Sequence, residues 1–369
     1  MNSGRLCTRC VMDESDSAIT FDSDGVCSHC RHFDSVVQPS WHPDETGATM
    51  WREAVARLRA GRGSADYDCV IGLSGGLDSS QLVMLAASAG LNPLIVHVDG
   101  GWNSELAVGN IERVLDATGF DLFTVVVDWE SMRDLQLAYL RAGVINQDVP
   151  QDHAFISGLF QVARRFEIKD IISGHNIATE SVLPLSWGFP PSDTRNLLAI
   201  YKRFGGGRPL AGYPLMPTRT WLRTNSPMPM FRFVQPLNWL PYDKNRSIAD
   251  LSQIGWRPYP RKHGESRFTV FYQEYLLPTR YGIDKRRAHY SSLVLAGQLT
   301  RAEALEALTE PMVTPVELAI ERDFFCRKMR IEEAELDAFL TLPHQEHSSL
   351  PNLTIPTRRL KRLLGRSQP

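Results

Sequence analysis

Seven residues, SGGLDSS at positions 74–80, break an apolar run that reads DCVIGL before them and QLVML after them. Where a strand ends and a helix begins, the backbone N–H groups of the turn lack internal partners and the helix dipole attracts negative charge. Gly75 and Gly76 let the backbone approach an anion closely, and the hydroxyls of Ser74, Ser79 and Ser80 add donors. A helix cap needs one Ser or Asp, whereas this turn supplies four such residues. Asp78 would repel a phosphate unless a cation lay between them, so its presence implies Mg2+. The turn is not a Walker A loop, because no GxxxxGK sequence is present and no lysine follows. Phosphate binding with a divalent cation is the chemistry these residues suit.

A second set lies at the start of the chain. Cys7 and Cys10 form one C-x2-C pair, Cys27 and Cys30 another, and sixteen residues separate them. At that spacing four thiolates close a tetrahedral zinc site, and a closed four-sulfur site leaves no position for a substrate, so the expected metal is structural Zn2+. An iron-sulfur cluster is the alternative for four cysteines. Gly25 suits the turn of the second knuckle, and His29 and His32 read as bystanders to a complete ligand set. The other two cysteines, Cys69 and Cys326, lie far apart in apolar settings.

The elements that position these residues follow from periodicity. From residue 67, strand-like runs (DCVIGLS, NPLIVHVD, DLFTVVVDW, KDIISGH) alternate with helical patterns, which predicts βαβ units and a parallel α/β sheet. Residues 1–35 form the cysteine module and 36–66 a linker with one helix around WREAVARLRA. The sheet domain runs over 67–190, and 191–300 reads as loop-rich and suited to binding an acceptor. Residues 301–369 read as a helical tail ending in the basic run RRLKRLLGRSQP, taken as a solvated helix. The chain has 369 residues, 22% charged, with a formal net charge of −2. Such a balance disfavours extensive nucleic-acid contact. The opening MNSGRLCTRC has no apolar stretch and no later window is long enough to span a bilayer, so a cytoplasmic protein with no membrane span is expected.

SGGLDSS resembles the PP-loop of ATP pyrophosphatases, the adenine nucleotide α-hydrolase-like enzymes that cleave ATP between its α and β phosphates. The resemblance places ATP near the end of the second strand, at His97 and Asp99, and near Gly174, His175 and Asn176 in SGHNIATE. A narrower resemblance rests on CTRCVMD, ITFDSDGVCSHC, HVDGGWNSELAVGNIE, DHAFISGLF, SGHNIATESVLPLSWG and HGESRFTVFYQEYLLPTRYGIDKRRAH. In that order they are similar to the N-acetyl sugar amidotransferase family of bacterial surface-polysaccharide biosynthesis, up to about residue 310. His175 departs from the acidic residue common there, which bears on acceptor choice.

The resemblance implies that ATP adenylates the acetamido oxygen of a free or nucleotide-linked sugar, and that ammonia then replaces it to give an acetamidino group. Asp78, with Asp99, would hold Mg2+, and Ser74, Gly75, Gly76, Ser79 and Ser80 would bind pyrophosphate. Lys285 and Arg286 in GIDKRRAH are candidates for neutralising departing phosphate. Arg261, Lys262, His263 and Glu265 are candidates for touching the acceptor or moving protons, and the family pattern also draws attention to His153. A built-in glutaminase needs a nucleophilic cysteine in an elbow or at the N-terminus, and neither is present. A separate glutaminase subunit supplying ammonia is therefore expected. The rival readings are a PP-loop sulfurtransferase, for which Cys69 is the nearby thiol, and an RNA-modifying enzyme using the same adenylation.

Overall fold

The computed structural model describes residues 4–61, 66–226 and 228–363. In the cysteine module a short helix, α1 (Ser28–His32), follows the second knuckle, and α2 (Glu45–Gly61) leads to the sheet domain. The alternation then appears as the sequence pattern predicts: β1 (Cys69–Gly72), α3 (Leu77–Ser88), β2 (Pro93–Asp99), α4 (Glu105–Thr118) and β3 (Leu122–Val126). The helices α5 (Trp129–Ala142) and α6 (Val149–Arg165) precede β4 (Asp170–Ile172) and the single-turn α7 (Ile177–Glu180). Helices α8 (Thr194–Phe204) and α9 (Thr218–Thr224) come before a last strand, β5 (Arg232–Val234), and α10 (Lys244–Ser252) after it.

All five strands are parallel, in the order β3-β2-β1-β4-β5. Alternate residues feed the two faces, as strand geometry requires. Val70, Leu94, Val96 and Ile171 pack with α5, α6 and α8, while Ile71, Ile95 and Ile172 pack with α2, α3 and α4. The result is a three-layer α/β domain, the PP-loop architecture expected from SGGLDSS.

The remaining helices are α11 (Arg267–Phe271), α12 (Leu277–Tyr281), α13 (Arg286–Leu295), α14 (Arg301–Thr309), α15 (Pro315–Met329), α16 (Glu333–Thr341) and α17 (Thr354–Leu363). Two begin with reciprocal capping boxes, Thr300 with Glu303 and Thr314 with Glu317, which satisfy the donors at each helix start. Their core is separate from the sheet and contains Phe268, Phe271, Tyr272, Phe325, Met329 and Phe339 together with the four N-terminal cysteines and Trp102. The two ends of the chain thus share one core.

Two features differ from the sequence pattern. Helix α5 fills what the pattern left between the third strand and the next helix. Its signals are Asp128, whose side chain accepts from Ser131 N, and Gly143 at φ 65 ending it. Within 191–300, helices α8 to α13 and strand β5 stand where Pro, Gly and Trp suggested loops. Prolines there sit at helix starts and between elements, and β5 is a three-residue strand defined by its pairing with β4. The basic run at the C-terminus enters α17, and its last residues, 364–369, lie outside the described residues. Among the described residues no helix is long and apolar enough to cross a membrane.

Candidate functional site

The chain runs from β1 outward to β2 and β3, then returns to the other side of β1 for β4 and β5. The switch point lies between β1 and β4, where open α/β sheets bind ligands outside the carboxyl ends of their strands. The turn after β1 is SGGLDSS and the turn after β4 is SGHN. They meet: a Cβ on Gly174 would lie 3.8 Å from Ser79 N. A cavity of about 760 Å³ opens there, bounded by Ser74, Gly76, Asp78 and Ser79 on one side and Gly174, His175 and Glu180 on the other.

Within the loop the residues divide. Helix α3 begins after Gly76 with no side-chain cap, so its first-turn N–H groups face the cavity end. The Ser74 hydroxyl accepts from Gly76 N at 3.3 Å and lies 3.1 Å from the Ser79 hydroxyl. Gly75 does not line the cavity. It adopts φ 82, a Cβ there would come within 2.6 Å of Ala107 O, and its carbonyl accepts from Trp256 Nε1 and Tyr259 OH. Its lack of a side chain serves the packing of the loop under α4. Ser80 is fully buried with Val83 and Ala86 on the inner face of α3, and its hydroxyl has no hydrogen-bond partner among the described residues. Consecutive helical residues point about 100° apart, which is why Ser79 reaches the cavity and Ser80 does not.

Asp78 lines the cavity, and both of its protein donors converge on one oxygen: Tyr242 OH at 2.5 Å and Asn176 Nδ2 at 3.4 Å, each to Oδ1. Oδ2 carries no protein hydrogen bond among the described residues. Burial pushes the Asp78 carboxyl up, opposed by the Tyr242 hydrogen bond and by Lys262. Asn176 is buried and caps α7 through Ala178 N, while His175 is exposed, with Nδ1 3.5 Å from Asn238 Nδ2.

The opposite wall comes from residues 258–290. The segment beginning at Glu265 is stitched to the turn after β2, with Ser104 N donating to Glu265 O, Arg267 N donating to Trp102 O, and an antiparallel bridge between Asn103 and Ser266. These bonds bring HVDGGWNSE and HGESR, distant in sequence, side by side. His263 sits at φ 60, a region His enters more readily than most residues, with Nδ1 3.8 Å from Glu265 Oε1. Burial would raise the Glu265 carboxyl, but His263 and Lys262 hold it below the usual range. Lys262 Nζ lies 3.8 Å from Glu180 Oε1 and 3.3 Å from His289 Nδ1. Burial and then the Lys262 charge keep His289 well below the usual imidazole range, so it stands neutral at pH 7.

Lys285 and Arg286 both line this wall but differ in freedom. Arg286 forks onto Asp284 and also donates to the carbonyls of Ala307, Leu308 and Glu310. That guanidinium is largely committed to the fold. The Lys285 ammonium makes no hydrogen bond or ion pair to protein among the described residues. Its charge acts on the buried Asp148 and the half-buried Asp152, whose carboxyls desolvation pushes up, Asp152 to about 7.

His97 and Asp99 lie at the end of β2 but not on the cavity surface. The His97 ring is held at both nitrogens, Nδ1 2.9 Å from Leu73 O and Nε2 2.9 Å from Asn103 Nδ2. Asp99 Oδ1 accepts from Gly101 N and Asn103 Nδ2. His153 is fully buried, bound to Pro191 O through Nδ1 and to Met216 N through Nε2, and is a satisfied core histidine. The cavity residues that the sequence did not mark include Tyr242, Lys244, Trp256, Tyr259 and His289 with Glu180. None sits in a spacing that marks it. Only the fold brings them to the loop, although His289 and Glu180 close two of the quoted motifs.

In the cysteine module the four sulfurs lie within 4.8 Å of one another. Three of the separations are 3.6 to 3.8 Å. A tetrahedral ion with metal–sulfur bonds of about 2.3 Å has sulfur–sulfur edges of about 3.8 Å, so the cage fits one such ion. A four-iron cluster, with each thiolate on a different iron, needs a wider cage. Gly25 stands at φ 78 against Thr8, and His29 binds Asp16 rather than joining the sulfurs. Arg301 donates to the carbonyls of Cys7 and Cys10, and Ser291 of α13 accepts from Val11 N, so the module braces the helix that carries His289.

A parallel sheet with SGGLDSS after its first strand and a cavity at its switch point defines a PP-loop protein. Residues 265–362 match the family described as LPS biosynthesis protein WbpG-like, C-terminal domain. No curated protein matches the sequence. Among solved structures, the chain is similar to NMN synthetase from Francisella tularensis at 14% identity and a TM-score of 0.38, over 78% of this chain and 97% of that one. The U34-tRNA thiolase NcsA from Methanococcus maripaludis, with its 4Fe-4S cluster, aligns at 13% identity and TM-score 0.34, over 85% and 95%. The NH3-dependent NAD synthetase from Campylobacter jejuni aligns at 12% identity and TM-score 0.31, over 81% and 98%.

Proposed function

We propose that the chain is an ATP-dependent amidotransferase that adenylates the acetamido oxygen of an N-acetylated, free or nucleotide-linked sugar and replaces that oxygen with ammonia. The observation that carries this reading is that one cavity joins the SGGLDSS turn to the WbpG-like domain, so a nucleotide-binding loop and a lipopolysaccharide-biosynthesis module face the same space.

An amide carbonyl is a poor electrophile and its oxygen a poor leaving group. In the proposed sequence the amide oxygen attacks the α-phosphorus of ATP, an O–P bond forms, the α–β bridge breaks and pyrophosphate departs. Ammonia then adds to the imidate carbon, gives up a proton, and the C–O bond breaks to release AMP and the amidine. The first-turn N–H groups of α3 with Ser74, Gly76 and Ser79 receive the pyrophosphate, and Gly75 keeps the loop seated on α4. Lys285, Lys262 and Lys244 offset its charge, with Arg286 fixing that wall. His263, paired with Glu265, stands where it can accept the proton shed by the attacking nitrogen. His97 and Asp99 shape the end of β2 behind the nucleotide.

Asp78, which lines the cavity and whose Oδ2 takes no protein hydrogen bond among the described residues, is a fitting ligand for Mg2+. That ion would neutralise phosphate charge during transfer. We assign zinc to the cysteine cage. All six cysteines are buried, which leaves no thiol for glutamine hydrolysis and supports a separate glutaminase subunit as the ammonia source. The same burial disfavours sulfur transfer: Cys69 is enclosed and burial pushes its thiol up. ATP as cosubstrate suits the cytoplasm.

Product analysis tests the reading. With ATP, Mg2+, ammonia and a panel of acetamido sugars, the expected products are AMP and a sugar lighter by about one mass unit, the exchange of O for N–H. Formation of ADP, or of AMP with every sugar unchanged, would contradict it.

A further inference from the structure

We infer that Tyr242 is a positioning residue for the nucleotide-bound metal: its phenol orients the Asp78 carboxylate so that Oδ2 is presented to the cavity. The inference rests on the assignment of Asp78 to Mg2+. Tyr242 lies in the connection before α10, far from either sequence motif, and lines the cavity. Its hydroxyl donates to Asp78 Oδ1 at 2.5 Å, and Asn176 from the turn after β4 donates to the same oxygen at 3.4 Å. Two donors on one oxygen fix the rotation of the carboxylate and leave the other oxygen bare. A purely structural contact has no reason to be so one-sided, whereas a metal ligand needs one oxygen steered and the other free.

Tyr242 is itself held from the WbpG-like domain, because Gln298 Nε2 donates to its backbone carbonyl at 2.7 Å. The contact therefore ties the two walls of the site together: the loop side supplies the ligand and the acceptor side supplies the group that aims it.

The test compares affinity for α,β-methylene-ATP with Mn2+ and with EDTA, the ratio measuring what the metal adds. In the parent protein Mn2+ tightens binding, and in Asp78→Asn most of that gain is lost. Tyr242→Phe, which removes only the hydroxyl, should reduce the gain by about 10- to 100-fold, the usual cost of losing a partner behind a metal ligand. Affinity in EDTA should stay within about twofold, and melting temperature and zinc content report that the fold is intact. A Tyr242→Phe gain equal to the parent's overturns the inference while leaving the Asp78 assignment standing. An undiminished gain in Asp78→Asn overturns the assignment beneath it. Gln298→Leu keeps the phenol but loosens its backbone, and should show a smaller loss in the same ratio. If Tyr242→Phe does not fold, that variant decides: an unchanged ratio overturns the inference.

Discussion

Asp78, Ser74, Gly76 and Ser79 are the residues whose types announced their chemistry, because a carboxylate among hydroxyls at a strand-to-helix turn has few other uses. What the pattern could not convey was direction. Ser80 looks like Ser79 in sequence, yet one position along a helix turns it into the core. His153 illustrates the same limit: a motif draws attention to it, and the fold uses both of its nitrogens internally. That makes it a test of stability rather than of turnover. Burial lowers His153 to about 4 and His347 to about 3. Because the folded-state values lie below the unfolded one, the unfolded chain takes up protons first. Stability should therefore fall as pH drops from about 6.5 toward 4, by on the order of 3 kcal/mol from His153 alone. Urea unfolding at several pH values measures this. In His153→Gln the slope across that window should flatten, and an unchanged slope would show that the ring does not carry it.

At the scale of elements, the strands and helices around the loop were legible because β-branched runs alternate with helical periods over ordinary lengths. Strand β5 was not, since three residues gain their identity only from pairing with β4. Helix α5 was legible in principle from Asp128 and Gly143, but its buried face is interrupted by Asp134 and Gln136, which blurs the apolar period. The cysteine module could be read as a metal cage, whereas its attachment could not. Arg301 and Ser291 bind its backbone from the other end of the chain, and α13 then carries His289 to the cavity. Cys27→Ser should accordingly lose about one zinc per chain and lower the melting temperature by more than about 2.5 °C, the shift that about 2 kcal/mol produces at this size. It should also raise KM for the sugar more than KM for ATP, because α13 and not the SGGLDSS turn is braced by the module. Equal effects on both would argue against that route.

Across the whole molecule, the C-terminal helices are packed into the body that carries the cavity rather than appended to it. Phe325 of α15 is buried, stacked 4.4 Å from Phe271 and 5.8 Å from Trp102, three residues past the end of β2. Arg267 at the start of the acceptor wall forks onto Glu321 of the same helix. Phe325→Ala should cost about 3 to 5 kcal/mol of stability, read by denaturant unfolding, as expected for an aromatic removed from a packed core. A loss under about 1 kcal/mol would mean that α15 is only loosely attached. With the two ends of the chain in one core and the sheet presenting its switch point to them, the SGGLDSS turn and the 258–290 wall face one cavity, as holding a nucleotide and an acceptor side by side under the proposed function requires. The most direct test of that arrangement follows the oxygen. With the acetamido sugar labelled with 18O in its carbonyl, transfer through an adenylated amide predicts that the label leaves in the phosphate of AMP and that pyrophosphate carries none. Label appearing in water or pyrophosphate, with none in AMP, would contradict the account.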